Sequence, residues 1–227
     1  MENTINLLEP ILLNSIFRFV TPILFAALGG MLCTRAGITN IALEGHMIMG
    51  CFGAVFGSYY LKNPFLGVLV GVGMAMALAL IFAFLRVDFG ADEVVVGLAV
   101  NLFGTSLTVF LLRSIFKVTG TFSSPELKGL PVIDIPLIRD IPILGPLVSG
   151  HTPLVYFSWL CTVALYFLLF NTRLGLHIRG VGEHPEAAAT MGVNVRKNQY
   201  FAILVCGGLC GLAGAQLSLG NVTMFVE

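Results

Sequence analysis

The chain repeatedly runs for about twenty residues without a charged side chain. The clearest case is Pro64 to Leu85, which carries none. A helix needs roughly 20 apolar residues to cross the hydrocarbon core of a bilayer. Lipid cannot pair with backbone N–H and C=O groups, so runs of this kind satisfy themselves as helices. Five further windows fit the same reading. They run about Pro10–Cys33, with Arg18 near its start; Ile38–Leu61, with Glu44 and His46 in its first half; Val94–Leu112; Pro153–Phe170; and Gln199–Leu219. The expectation is an all-α, polytopic transmembrane helical bundle of about six spans, one domain over residues 1–227. Composition agrees. Hydrophobic residues make up 57% and charged residues 11%, against roughly 45–50% and about 25% in soluble domains. The surface cannot be covered with charge, so a lipid bilayer is the expected surrounding. A net charge of zero gives no sign of nucleic acid. The first ten residues carry Glu2 and Glu9 and no Lys or Arg, which does not suit a cleavable signal peptide.

Loop charge sets the expected orientation. Alternating sides groups Arg35, Arg86, Arg173, Arg179, Arg196 and Lys197 on one face, and Lys62, Lys117, Lys128 and Arg139 on the other. The first group is concentrated in the short loop 171–198, which is therefore expected in the cytoplasm, with the N-terminus outside. The loop 117–152 is then external. It is rich in proline, with Pro125, Pro131, Pro136, Pro142 and Pro146, which stiffens extended backbone. It reads either as a docking surface or as a plain connection.

Within the spans, small residues recur at four-residue spacing. Gly207, Gly211 and Ala215 lie in the last window and Gly67 and Gly71 in the third. Small residues let helix backbones approach closely in lipid, so close packing is expected, within the chain or with a second one. Asn101, Thr105 and Thr108 fall at i, i+4 and i+7, one polar stripe on a helix. Polar groups at membrane depth face the protein interior or a cavity. The stripe is either the wall of a substrate path or a set of bonds between helices. Asn40 and Glu44 read the same two ways: as a cap and a first-turn anion, or as part of a path.

No catalytic or metal-binding set is apparent. Cys33, Cys51, Cys161, Cys206 and Cys210 lie in apolar segments with no CxxC spacing. The four histidines form no HExxH, and no GxSxG is present. No cofactor is expected in this chain.

The longest polar interruption is Gly180 to Gly192. Pro185 suits the first position of a helix, Glu186 its positive end, three alanines its body and Gly192 its left-handed stop. About two turns of isolated helix are expected between spans, shaped to dock into a partner.

Two motifs carry a family resemblance. Arg35-Ala36-Gly37-Ile38-Thr39-Asn40-Ile41-Ala42-Leu43-Glu44-Gly45 resembles the NI-x-LEG signature of ABC-importer permeases for nucleosides and simple sugars, within the wider branched-chain amino acid and ribose permease group. Arg173 to Ala188, with Gly182-Glu183-His184-Pro185-Glu186-Ala187-Ala188, resembles the cytoplasmic coupling segment of that family, and Gly97-Leu98-Ala99-Val100-Asn101 its GLxxN run. His46 departs from the pattern, where an apolar residue is expected after LEG.

The resemblance implies a permease subunit, not an enzyme, of an importer in a prokaryotic inner membrane. It implies a partner ATPase that binds ATP, a second permease subunit (the same or a related chain), and an extracytoplasmic solute-binding protein. It assigns coupling to Gly182, Glu183, Pro185, Ala187, Ala188 and Gly192. It also implies roughly two further spans past Phe225, so the chain reads as truncated at its C-terminus. A branched-chain amino acid permease, a secondary transporter and a purely structural membrane protein are the alternatives. The second would need intramembrane ionisable groups for ion coupling, and only Glu44 and Arg18 intrude.

Overall fold

The computed structural model describes residues 10–124, 127–133 and 149–226. Among the described residues, eight α-helices follow in order. They are α1 (Pro10–Arg35), α2 (Leu43–Leu61), α3 (Pro64–Ala83), α4 (Glu93–Leu111), α5 (Pro153–Asn171), α6 (Arg173–Glu183), α7 (Pro185–Thr190) and α8 (Val195–Ala215). Wide π-helical turns prolong α3 over Phe84–Asp88, α4 over Leu112–Phe116 and α8 over Gln216–Val222. Two short strands, β1 (Thr121–Phe122) and β2 (Phe225–Val226), pair antiparallel with Phe122 opposite Phe225.

Local sequence sets the helix starts. Asn63 accepts a hydrogen bond from Phe65 N at 3.0 Å, and Pro64 fills the first position of α3. Asp92 accepts from Val94 N and Val95 N at 3.0 and 3.1 Å and caps α4. Asn194 accepts from Lys197 N at 2.9 Å and caps α8. Each side chain satisfies donors that the first turn leaves open.

Among the described residues, five helices are long and apolar enough to cross a membrane: Asn14–Arg35, Pro64–Asp88, Glu93–Phe116, Pro153–Asn171 and Val195–Val222. They match the expected windows within a few residues. The second window is different in kind. Its helix, α2, has 19 residues and is about 28 Å long, but it does not reach the hydropathy of a lipid-facing span. From Met49 through Ser58 its residues are buried except the half-buried Cys51 and Phe56, and it packs on α3, α4 and α8. A helix shielded from lipid can carry Ser58 and His46 within its length. The window was also expected to open at Ile38, whereas residues 38–42 form a loop and α2 starts at Leu43.

The centre of the bundle is a three-helix contact among α2, α3 and α8. A Cβ built on Gly71 would lie 2.6 Å from Gly50 O, and one on Gly50 2.7 Å from Gly211 Cα. One on Gly214 would meet Met47 O at 2.2 Å. The small-residue spacing thus serves packing inside the chain. Arg18 also finds its reason here. Its guanidinium donates to Gly220 O at 2.7 Å and Asn221 O at 3.0 Å, carbonyls freed by the wide turn of α8. Beside it, Thr152 Oγ1 donates to Gln216 Oε1 at 2.9 Å, and both side chains are buried.

Of the proline-rich loop, Pro131 is described, and Leu130 N donates to Leu219 O at 3.1 Å. Pro125, Pro136, Arg139, Pro142 and Pro146 lie outside the described residues.

Gly71→Ala is expected to destabilise the bundle by about 1–3 kcal/mol, the cost of forcing atoms into a filled core. Gly73→Ala, in the same helix with nothing within 4 Å of the new methyl, is expected to be neutral or slightly stabilising. Thermal unfolding of the detergent-purified variants separates the two.

Candidate functional site

The polar stretch between α5 and α8 folds into two helices, not one. Thr172 starts the first by accepting from Gly175 N at 3.1 Å, while its hydroxyl donates to Leu168 O at 2.6 Å. Gly175, Ile178 and Val181 follow at three-residue spacing and form the buried face of α6. That spacing was available in the sequence but is masked by Arg173, His177 and Arg179 on the other faces. Gly182 and Glu183 therefore end α6 and do not open the docking helix. A turn at His184, with extended backbone, separates the two.

The second helix, α7, begins at Pro185 as expected and has Glu186 in its first turn. It ends as expected too. Gly192 has φ +82°, a conformation that costs any other residue. Gly192 N and Val193 N donate to Ala189 O and Ala188 O, both at 3.0 Å, closing the helix end. Every α7 side chain is exposed except Ala188, which is half-buried, and Met191 just beyond is 84% exposed. α7 is thus a short, largely exposed helix whose C-terminal end is closed by backbone bonds.

The end of α6 rests on the turn that leads into α2. A Cβ on Gly182 would lie 2.3 Å from Arg35 O, and one on Gly37 3.2 Å from Gly182 Cα. Gly37 itself has φ +77°. Only glycine at both positions permits this approach.

From that turn the chain runs into a set of bonds around Asn40 and Asn101. Asn40 is buried. Its Oδ1 accepts from Ala42 N at 2.9 Å, and its Nδ2 lies 3.4 Å from Cys206 Sγ on α8. Asn101 reaches across from α4. Its Oδ1 accepts from Gly45 N at 2.7 Å and its Nδ2 donates to Ile41 O at 3.0 Å. Nearby, Glu93 Oε2 accepts from Thr39 N at 3.0 Å and lies 3.4 Å from Arg86 Nε. The loop before α2 is thus fastened to α4 and α8 by side chains from both.

The structure brings Asn40 and Asn101 to the two flanks of one short loop. It does not gather the other candidates with them. Glu44 is exposed in the first turn of α2, where the helix dipole favours an anion. Thr105 is exposed and donates to Asn101 O at 3.0 Å; Thr108 is buried and donates to Thr105 O at 2.8 Å. Both threonine hydroxyls bond back to their own helix. Asp88 takes Arg196 and Tyr200 as partners and ties the end of α3 to the start of α8. No group of three or more His, Cys, Asp or Glu side chains among the described residues could hold a metal ion.

Asn101→Leu leaves Gly45 N and Ile41 O without their partner, and a stability loss of about 1–3 kcal/mol is expected. Thr105→Val, exposed and bonded only within its turn, is expected to change little. Gly192→Ala is expected to cost about 1 kcal/mol through its left-handed backbone. Chemical or thermal unfolding in detergent measures all three.

The sequence matches the model of a family described as "Branched-chain amino acid transport system / permease component" over residues 12–226. It is 35% identical over 206 residues to a guanosine ABC transporter permease protein of Bacillus subtilis, covering 86% of this chain and 63% of that one. It is 34% identical over 220 residues to a nucleoside ABC transporter permease protein of Lactococcus lactis, covering 94% and 68%. It is 34% identical over 219 residues to a putative glucose ABC transporter permease protein of Haloferax volcanii, covering 95% and 64%. The chain thus spans about two thirds of the length of these relatives. No solved structure matches it. With the matched region running almost end to end through all eight helices, the chain belongs to the branched-chain amino acid transport system permease component family.

Proposed function

We propose that the chain is the membrane-spanning permease subunit of an ATP-binding cassette importer that moves a nucleoside or simple sugar inward. The observation that carries this reading is mechanical. An exposed, capped helix, α7, is joined to α6, and α6 bears through Gly182 on the turn into the central helix α2. Relatives described as guanosine, nucleoside and glucose permeases support the solute class.

In this mechanism a separate ATPase subunit binds and hydrolyses ATP and seats α7 in a groove. Its movement displaces α7 and α6 together. Gly182 transmits the displacement to residues 35–37. The fastened loop, held by Asn40 and Asn101, carries it into α2. Because α2 packs backbone to backbone on α3 and α8, these helices shift as one body rather than bending. The solute path then opens to alternate sides. A second permease subunit completes the path, and an extracytoplasmic binding protein delivers the solute. Residues 171–198 lie in the cytoplasm and the N-terminus outside, as the density of Arg and Lys around α6 and α7 favours.

Two experiments test the reading. Ala188→Trp, on the one half-buried position of α7, is expected to abolish co-purification with the ATPase and solute-stimulated ATP hydrolysis, while the spans stay inserted. Retention of both at the unmutated level would mean that α7 does not couple. For orientation, a cysteine at Ser123 is expected to react with an impermeant reagent in intact cells and one at Thr190 only after lysis. The reverse pattern would invert the topology.

A further inference from the structure

A cavity of about 120 Å³ opens where α1 ends against α6. It is lined by Thr34, Arg35, Arg179, Gly182 and Glu183. A water occupies about 30 Å³ of liquid, so the space suits a phosphate group. Among the described residues, Arg35 and Arg179 have no carboxylate within 4.0 Å, and the ion pairs join Arg86 to Glu93 and Arg196 to Asp88. Arg179 Nε is buried and has no hydrogen-bond partner among the described residues. The Thr34 hydroxyl donates to Gly30 O at 3.0 Å, which leaves the two guanidinium groups as the charged donors at the cavity. Glu183 opposes an anion there, against two cations.

The surroundings decide which anion. The Arg179 guanidinium lies 5.2 Å from the centre of the Phe170 ring. Phe170 is 48% exposed, and Tyr166 and Phe167 continue the same outward apolar run of α5. Leu174 and Leu176 of α6 are 51% and 61% exposed. The cavity therefore sits where membrane-spanning helices end beside apolar surface, not out at α7 where the ATPase docks. Basic pockets in this position take lipid headgroups, and a guanidinium fits phosphate oxygens in pairs. We propose that this cavity binds the phosphate of an anionic phospholipid headgroup, held by Arg35 and Arg179. The proposal rests on the orientation given above, which sets this face against the cytoplasmic leaflet.

The test uses the purified 227-residue chain in nanodiscs of mixed phosphatidylglycerol and phosphatidylcholine, with retained lipid read by native mass spectrometry. The unmutated chain is expected to retain phosphatidylglycerol preferentially. Arg35→Gln and Arg179→Gln are each expected to reduce that preference about fivefold, and Glu183→Gln to increase it. If the arginine variants unfold, Glu183→Gln still decides: an unchanged preference overturns the proposal. So does equal retention of the two lipids by the unmutated chain. Displacement of the lipid preference by inorganic phosphate alone, with no headgroup selectivity, would assign the cavity to a free anion. Unchanged lipid retention with lost ATPase co-purification would assign it to a carboxylate of the partner, and either result overturns the lipid site. The two nanodisc leaflets are identical, so this assay does not depend on orientation, which the cysteine labelling reads separately.

Discussion

Backbone contact between α2, α3 and α8 is the constraint on which the rest depends. In lipid, apolar side chains gain little by meeting one another, because the acyl tails are equally apolar. Association must come from close packing and from bonds between helices. Gly50, Gly71 and Gly211 remove the side chains at the crossing, and the three backbones come within van der Waals reach of one another. Helices in such contact cannot slide independently, since any larger group at the crossing would collide. The bundle therefore has a stiff centre, and the helices around it can be more loosely applied.

In the proposed mechanism, that stiffness gives the α6–α7 unit something to act on. A push on a surface loop dissipates if the loop is soft. Here the route from α7 is short and made of close contacts. Gly182 lies on Arg35 and Gly37, and the following residues are fastened by Asn40 on one side and Asn101 on the other. The two asparagines bond backbone groups that α2 leaves open at its start. They hold the loop in one form, and this stability is compatible with a role beside a solute path.

The sequence reveals the spans because lipid imposes length and apolarity on each helix independently. It reveals α7 because Pro185 and Gly192 act through local backbone geometry. What it conceals depends on tertiary context. The helix α6 carries charges on its outer faces, so Gly175, Ile178 and Val181 do not stand out as a buried stripe. The loop at residues 38–42 looks like part of an apolar window, because a loop fastened by Glu93 and Asn101 of α4 needs few polar residues of its own, here Thr39 and Asn40. The stripe of Asn101, Thr105 and Thr108 has the right period for one face, yet α4 turns these residues to three different environments. Burial differs along a single face because α2 covers only part of α4.

His46 shows how far the centre can depart from an ordinary apolar span. The ring is fully buried, edge-on to Phe82 with centroids 6.4 Å apart, and neither nitrogen has a hydrogen-bond partner. An unpaired polar group in such a place costs about 1–3 kcal/mol. On a lipid-facing helix the ring could rotate outward toward an interface. In α2 it cannot, since Gly45 beside it is pressed against Asn101 and Gly50 one turn on against Gly211. The same glycine contacts that fix the bundle therefore also hold an unfavourable side chain in place. A helix enclosed in this way is selected for its fit to neighbouring backbones, and hydropathy, which measures fit to lipid, ceases to describe it.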